Sequence, residues 1–87
     1  MAYEIELKRS AEKELARLPK KFQVKMVAAI EKLEANPRHP QVEKLTDRGN
    51  EYRVRVGEYR ILFTIADTAR KVCVSAIRSR QDAYRKK

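Results

Sequence analysis

Residues 52–63 read YRVRVGEYRILF, and this stretch decides the fold because apolar side chains alternate along it on both sides of a Gly-Glu pair. Strict alternation over a short run is typical of a half-buried β-strand. Gly57-Glu58 matches a two-residue turn with glycine at its first central position. The stretch therefore predicts a β-hairpin in which Val56 pairs with Tyr59.

The predicted pairing places two arginines opposite each other. Arg55 faces Arg60 across the hairpin and Arg53 faces Leu62, and the two paired arginines point away from the apolar side chains. Like charges directly opposite each other on neighbouring strands are destabilising. We infer that an anion belongs between Arg55 and Arg60, unless a slipped register or a longer loop separates the two side chains.

The chain outside this hairpin predicts two helices and two further strands. Residues 2–8 alternate and predict a strand, and residues 20–35 carry apolar side chains at helical spacing until Asn36-Pro37 ends the helix. Residues 36–50 predict a loop, and residues 72–77 predict a last strand after a second turn.

A shorter helix is predicted between the first strand and residue 20. Ser10 is a suitable N-cap for it, with Ala11, Leu15 and Leu18 on one face. The junction between the helices is short, which predicts an antiparallel helical hairpin. The order β-α-α-β-β-β predicts a single α+β domain over residues 1–87, in which the helical hairpin packs on one face of an antiparallel sheet.

The last predicted strand leaves the position of Arg78 open. By strict alternation Arg78 shares a face with Val72 and Val74, which belong to the core. Either the strand ends or bulges near Ile77, or Arg78 does not lie on the face that carries the other arginines.

Positive charge is concentrated in the second half of the chain. The net charge is +9 overall, with +2 on residues 1–47 and +7 on residues 48–87. Such a surface favours nucleic acid or an acidic protein as a partner, and its sign alone does not choose between them. The stretch RSRQDAYR at residues 78–85 adds Tyr84 among arginines, which indicates a phosphate site with an acid/base residue or else a solvated basic tail.

The composition argues against several kinds of site. The single cysteine, Cys73, excludes an intrachain disulfide and a cysteine-rich zinc site, and its apolar surroundings predict a buried core residue. We interpret His39 as a surface residue, and the sequence predicts no metal site and no cofactor. No apolar run approaches the roughly 18 residues of a membrane span, and residues 1–7 do not resemble a signal peptide. We expect a cytoplasmic protein.

Three stretches together resemble the RelE/ParE toxin superfamily. They are AEKELARLP at residues 11–19, the hairpin at residues 52–63 and RQDAYR at residues 80–85, and the resemblance covers nearly the whole chain. Members are the toxin halves of toxin–antitoxin pairs. The resemblance implies one of two activities: RelE-type toxins cut mRNA in the ribosomal A site without a metal, and ParE-type toxins inhibit DNA gyrase and lack the nuclease residues.

The resemblance to RelE-type toxins implies a set of site residues. Tyr84 would be the base, Arg60 would stabilise the phosphorane, and Arg78 would neutralise the leaving oxygen. Ser79 stands where some relatives have a histidine, which removes one conventional acid/base candidate. The implied RNA contacts are Arg53, Arg55 and Arg80 on the substrate, and Lys8, Lys13, Lys20 and Lys21 on ribosomal RNA unless these lysines are ordinary surface charges.

The same resemblance implies partners. One is a ribosome that carries mRNA, and the other is an acidic, partly helical antitoxin whose apolar side chains occupy pockets between the helical hairpin and the sheet edge. No small-molecule cofactor is implied. The presence of Arg60, Arg78 and Tyr84 together favours the nuclease over the gyrase inhibitor.

Overall fold

The computed structural model describes residues 2–45 and 49–79, and over these residues it contains two helices and one five-stranded sheet. The strand order in the sheet is β1-β5-β4-β3-β2. This confirms the predicted α+β fold class. In chain order the elements are β1 (Glu4–Leu7), α1 (Arg9–Arg17), α2 (Lys20–Ala35), β2 (Val42–Lys44), β3 (Glu51–Val56), β4 (Tyr59–Ala66) and β5 (Lys71–Ser79).

The long helix α2 has the predicted bounds. Its apolar side chains recur at a spacing of three or four residues, which places Met26, Ile30 and Leu33 on one buried face against the sheet. The backbone N–H of Asn36 closes the last turn on the carbonyl of Lys32, at 2.9 Å. Within the described part of the chain, no helix combines the length and the apolar composition needed to cross a membrane.

The start of α1 differs from the prediction, because Ser10 is not its N-cap. The N–H of Lys8 still bonds the carbonyl of Val74, at 2.9 Å, so strand pairing continues to residue 8. Lys8 is therefore the N-cap, and Ser10 falls in the first helical turn. Its hydroxyl instead donates to the carbonyl of Ser75, at 3.4 Å.

The sheet contains a strand that the sequence did not predict. Residues 36–50 were expected to form a loop, but β2 pairs antiparallel with β3 and places Glu43 opposite Arg53. Three residues are too few for alternation to be detected, and the prolines at 37 and 40 obscured them further. Opposite charges facing each other across two strands favour this pairing.

The predicted antiparallel sheet is also wrong at one edge. β1 pairs parallel with β5, with Ile5 beside Val72 and Leu7 beside Val74, so the sheet is mixed. Neighbouring parallel strands need a long crossover between them. The two helices and the strands β2 to β4 lie between β1 and β5 in the chain and provide that crossover.

The central hairpin has the predicted register. Val56 pairs with Tyr59, Arg55 with Arg60, and Arg53 with Leu62. Gly57 has a φ of 61°, which is the left-handed conformation that this turn requires at its first central position.

One face of the sheet is buried under the helices, and the other is open. The buried face carries Phe63, Ile61 and Ile65 from β4 and Val72 and Val74 from β5, all almost fully buried. Cys73 lies between these two valines in sequence and is only half-buried, beside Thr64 on the opposite face. Its prediction as a core residue is therefore wrong, because alternation turns it away from the helices.

Candidate functional site

Three arginines form a row across the open face of the sheet. Arg55 on β3 is the register partner of Arg60 on β4, and Arg60 is in turn the register partner of Arg78 on β5. Adjacent strands are about 4.8 Å apart, so the three side chains leave the sheet side by side. We refer to Arg55, Arg60 and Arg78 as the arginine row.

A β-bulge at Ser75 places Arg78 in this row. Leu62 pairs with Ala76 and Phe63 with Val74, which leaves Ser75 as the extra residue on β5. The Ser75 hydroxyl donates to the carbonyl of Leu62, at 3.1 Å. One extra residue reverses the alternation that follows it. The bulge was one of the alternatives that the sequence left open, and it accounts for the position of Arg78.

The carboxylate of Glu14 on α1 holds the last strand at the arginine row. Its Oε1 accepts the backbone N–H of Ile77, at 2.8 Å, and its Oε2 pairs with Nη1 of Arg78. β1 ends at Leu7, so α1 covers the β5 edge at this level and Glu14 supplies the acceptor that a neighbouring strand would otherwise supply. Sequence analysis missed Glu14, because its two contacts join positions that lie 63 and 64 residues apart in the chain.

An open cleft of about 380 Å³ lies beside the arginine row. Its lining includes Arg55 and Arg60 from the row together with Arg53, Glu43 and Gln41. The Glu43 carboxylate accepts from Nε of Arg53 at 2.8 Å and lies 2.7 Å from its Nη2, which fixes that guanidinium. Sequence analysis missed Glu43 and Gln41 because it did not predict β2.

The remaining predicted site residues lie elsewhere. Lys8, Lys13, Lys20 and Lys21 are exposed on or beside the helices and do not line the cleft. Arg80 and Tyr84 lie outside the described residues, so their predicted roles stay predictions.

The one histidine has a defined environment. His39 is half-buried, which is more than the sequence predicted for a surface residue, and its Nδ1 accepts the N–H of Gln41 at 3.2 Å. Burial, and then the nearby charge of Lys32, lower the pKa of its imidazole. Among the described residues, no three His, Cys, Asp or Glu side chains come together as a metal site would require.

The family model that describes the ParE toxin of the type II toxin–antitoxin system parDE matches residues 5–84. The chain belongs to this family. It is therefore a toxin of a type II toxin–antitoxin system, within the RelE/ParE superfamily. No curated protein matches the sequence.

Solved structures support the placement of this toxin. The archaeal RelE–RelB complex from Pyrococcus horikoshii has a chain that is 25% identical, with a TM-score of 0.83 over 92% of this chain and 97% of that one. The RelBE complex from Mycobacterium tuberculosis gives 23% identity and a TM-score of 0.81 over 92% of this chain and 100% of that one. The Escherichia coli RelBE complex gives 20% identity and a TM-score of 0.79 over 90% of this chain and 96% of that one. The last two matches, at these identities, show the shared fold.

The arginine row gives this toxin an open, strongly cationic surface with fixed geometry. Guanidinium groups bind phosphate through paired N–H donors and keep their charge throughout the physiological pH range. The row stands on three neighbouring strands, so it requires little reorganisation to receive an anion. This arrangement suits a phosphodiester or a row of carboxylates.

Proposed function

We propose that this toxin is a ribosome-dependent endoribonuclease that cleaves mRNA in the ribosomal A site. The observation that supports this most directly is the arginine row, in which three cations occupy consecutive register positions on one face. Stability alone disfavours such an arrangement, because like charges on neighbouring strands repel. A phosphodiester bound across the row would convert the repulsion into attraction.

The chemistry needs no oxidant, reductant or second substrate. The 2′-OH of the mRNA attacks the adjacent phosphorus, the bond to the 5′-oxygen of the next nucleotide breaks, and a 2′,3′-cyclic phosphate and a 5′-OH fragment result. Tyr84 takes the proton from the 2′-OH. Arg60, at the centre of the row, stabilises the charge that develops on the phosphorane. Arg78 stabilises the negative charge on the leaving oxygen, directly or through a water, and the oxygen takes its proton from water.

The other cations would hold the substrate and the ribosome. Arg53 and Arg55 line the cleft beside Arg60 and would bind flanking phosphates, with Arg53 oriented by Glu43. Arg80, which follows β5 in the chain, would add a further phosphate contact. The exposed lysines would contact ribosomal RNA, which is rich in phosphate; they are Lys8, Lys13, Lys20 and Lys21.

The partner in the resting state would be an antitoxin. The structures of the Pyrococcus, Mycobacterium and Escherichia relatives are toxin–antitoxin complexes. We infer an acidic antitoxin for this chain, because carboxylates would complement the positive charge of the arginine row in the absence of RNA. We infer a cytoplasmic location, where both the antitoxin and the ribosome are found.

A second candidate function is inhibition of DNA gyrase. The family model that matches residues 5–84 is that of ParE toxins, and this observation favours the alternative. In this case the arginines would bind an acidic surface of the gyrase or its DNA, and Tyr84 would have no chemical role.

A translation reaction on purified ribosomes with a defined mRNA tests the two functions, with primer extension to map cuts and EDTA in one arm. The nuclease predicts cuts at the A-site codon that need the ribosome, persist in EDTA, and disappear in the Tyr84→Phe and Arg60→Ala variants. Intact mRNA with folded wild-type toxin contradicts the nuclease. In that case inhibition of gyrase supercoiling, little changed by Tyr84→Phe, supports the alternative.

A further inference from the structure

A second groove lies on the helix side of the sheet, next to the arginine cleft. It has a volume of about 310 Å³ and lies between α2, the segment that leads into β2, and the end of β3. Lys25 and Lys32 line it from α2, with the Lys25 ammonium also 5.8 Å from the centre of the Phe22 ring, and Arg55 lines it from β3. None of the described side chains that line it is acidic. We call it the α2 groove.

The floor of the α2 groove is apolar and made of small side chains. Ala28 and Ala29 contribute from α2, and Val54 and Val56 contribute from β3. His39 lies at its border, where its Nδ1 already accepts an N–H, so that the neutral ring presents Nε2–H as a donor. An apolar floor with cations at its rim matches a nucleotide, whose base covers the floor while its phosphates meet the cations.

The α2 groove is continuous with the arginine cleft. Gln41 and Arg55 line both of them, so a strand that leaves the cleft beside Arg55 passes over Gln41 into the groove. Lys25 and Lys32 are seven residues apart on one helix, which separates their Cα atoms by about 10.5 Å along the axis. The path is therefore long enough to follow more than one phosphate.

The lining of the groove and its position favour an extended nucleic-acid strand as the occupant. Lys25, Lys32 and Arg55 suit an anionic chain. Because Gln41 and Arg55 also line the arginine cleft, the chain that the cleft is proposed to hold can reach the groove directly.

We propose that the α2 groove binds the nucleotides that flank the scissile phosphate in single-stranded RNA, with phosphates on Lys25 and Lys32 and a base on the floor beside Ala29. This inference rests on the proposed function, since it extends the RNA track of the cleft. It adds a binding site on α2 to the contacts that the arginine row provides.

The test measures how the affinity for RNA depends on its length. Fluorescence anisotropy is recorded with a trinucleotide and an octanucleotide that carry 2′-O-methyl groups, which block cleavage because the attacking hydroxyl is absent. For wild type, we expect the octanucleotide to bind more tightly than the trinucleotide. In the Lys25→Ala/Lys32→Ala variant we expect the octanucleotide to bind no more tightly than the trinucleotide, while the affinity for the trinucleotide stays that of wild type. The slope of log K against log salt for the octanucleotide falls in magnitude by about 1.4, at about 0.7 per lost phosphate contact.

Two further variants separate the groove from general charge. Arg9→Ala/Arg17→Ala removes two exposed cations from α1, and we expect this variant still to bind the octanucleotide more tightly than the trinucleotide. Ala28→Phe fills the groove without a change of charge and is expected to remove the gain. Circular dichroism confirms that each variant is folded.

Several outcomes overturn the proposal. An octanucleotide that binds no better than the trinucleotide, or an equal loss in the α1 variant, shows that the groove has no specific part in RNA binding. Loss of binding to a glutamate-rich peptide, but not to RNA, in the groove variant assigns the groove to a protein partner. A toxin that cuts mRNA on ribosomes but shows no length effect contradicts only the groove, whereas failure to bind RNA and to cut contradicts both proposals.

Discussion

The carboxylate of Glu14 pairs with the guanidinium of Arg78 while its other oxygen accepts the backbone N–H of Ile77. One side chain of α1 thus fixes both the edge of β5 and the outermost member of the arginine row. Ala11 on the same helix is fully buried, so packing against the core fixes the helix that bears the Glu14 carboxylate. Glu14 therefore orients Arg78 and holds one end of its guanidinium.

We expect the two simplest substitutions of Glu14 to separate these contacts. Glu14→Gln keeps an acceptor for the Ile77 N–H but loses the ion pair, and Glu14→Ala loses both. The alanine variant should lower the free energy of unfolding by about 1–3 kcal/mol, because a partly buried N–H loses its acceptor, and the glutamine variant by less. Urea denaturation measures these differences.

The ion pair itself is tested through Arg78. Both Glu14 variants should shift the NMR resonances of the Arg78 guanidinium and slow mRNA cleavage on ribosomes, whereas Glu12→Gln, at an exposed carboxylate of the same helix, should do neither. Unchanged Arg78 resonances together with unchanged cleavage would show that Glu14 serves only the strand edge.

The repulsion within the arginine row predicts a gain in stability when one member is removed. Arg55 is exposed and directly opposite Arg60, so Arg55→Thr should raise the free energy of unfolding by about 0.2–1 kcal/mol in phosphate-free buffer of low ionic strength. The same variant should lose part of the stabilisation that added phosphate gives wild type, since a ligand stabilises only the state that binds it.

Thermal unfolding with and without phosphate measures both effects of Arg55→Thr. Arg17→Thr removes one exposed cation from α1 and is the matched control. If the control gains as much stability as Arg55→Thr, the effect reflects net charge and not the cross-strand pair.

Sequence analysis predicted the parts of the fold that depend on local patterns. Alternation on both sides of Gly57 fixed the hairpin and hence the pairing of Arg55 with Arg60, and the helical spacing of Met26, Ile30 and Leu33 fixed α2. These signals are contained within a few residues of the chain. The arginine pair at the centre of the candidate site followed directly from them.

The features that sequence analysis missed depend on long-range contacts. β2 is too short to show a period, and its evidence is the pairing of Glu43 with Arg53 across two strands. The only sign of the bulge at Ser75 was that strict alternation put Arg78 on the core face of the last strand. Alternation alone did not show where the bulge lies. Glu14 looks like any helix-surface carboxylate until the fold brings β5 beside it.

The hairpin turn gives a prediction about backbone strain. Gly57 has a φ of 61°, and a Cβ added there meets no atom within 4 Å, so a substitution should cost backbone strain alone. Gly57→Ala should lower the free energy of unfolding by about 1–2 kcal/mol, and Gly57→Asn by less, because asparagine tolerates the left-handed region better. Chemical denaturation measures both. An alanine variant as stable as wild type would mean that the turn adopts another conformation.

The ion pair between Arg38 and Asp67 predicts how stability depends on acid. Nη1 and Nη2 of Arg38 each donate to a different oxygen of Asp67 at 2.8 Å, and the hydroxyl of Tyr3 donates to Oδ1 at 2.9 Å. These bonds, chiefly the one from Arg38, lower the pKa of Asp67 from 3.8 to about 2. A carboxyl whose pKa is lower in the folded state contributes stability that is complete above its unfolded pKa and is lost as the pH falls towards the folded pKa.

We therefore expect the difference in unfolding free energy between wild type and Asp67→Asn to shrink as the pH falls from about 4 to about 2. Arg38→Lys should bring the folded-state pKa of Asp67 closer to its unfolded value, because an ammonium group cannot reproduce the paired contact of a guanidinium. The pH range over which the stability difference changes should therefore become smaller. Urea denaturation at a series of pH values measures the differences, and an NMR titration of the Asp67 carboxyl measures the pKa directly. A difference that stays constant through this range would show that the pair does not form in solution.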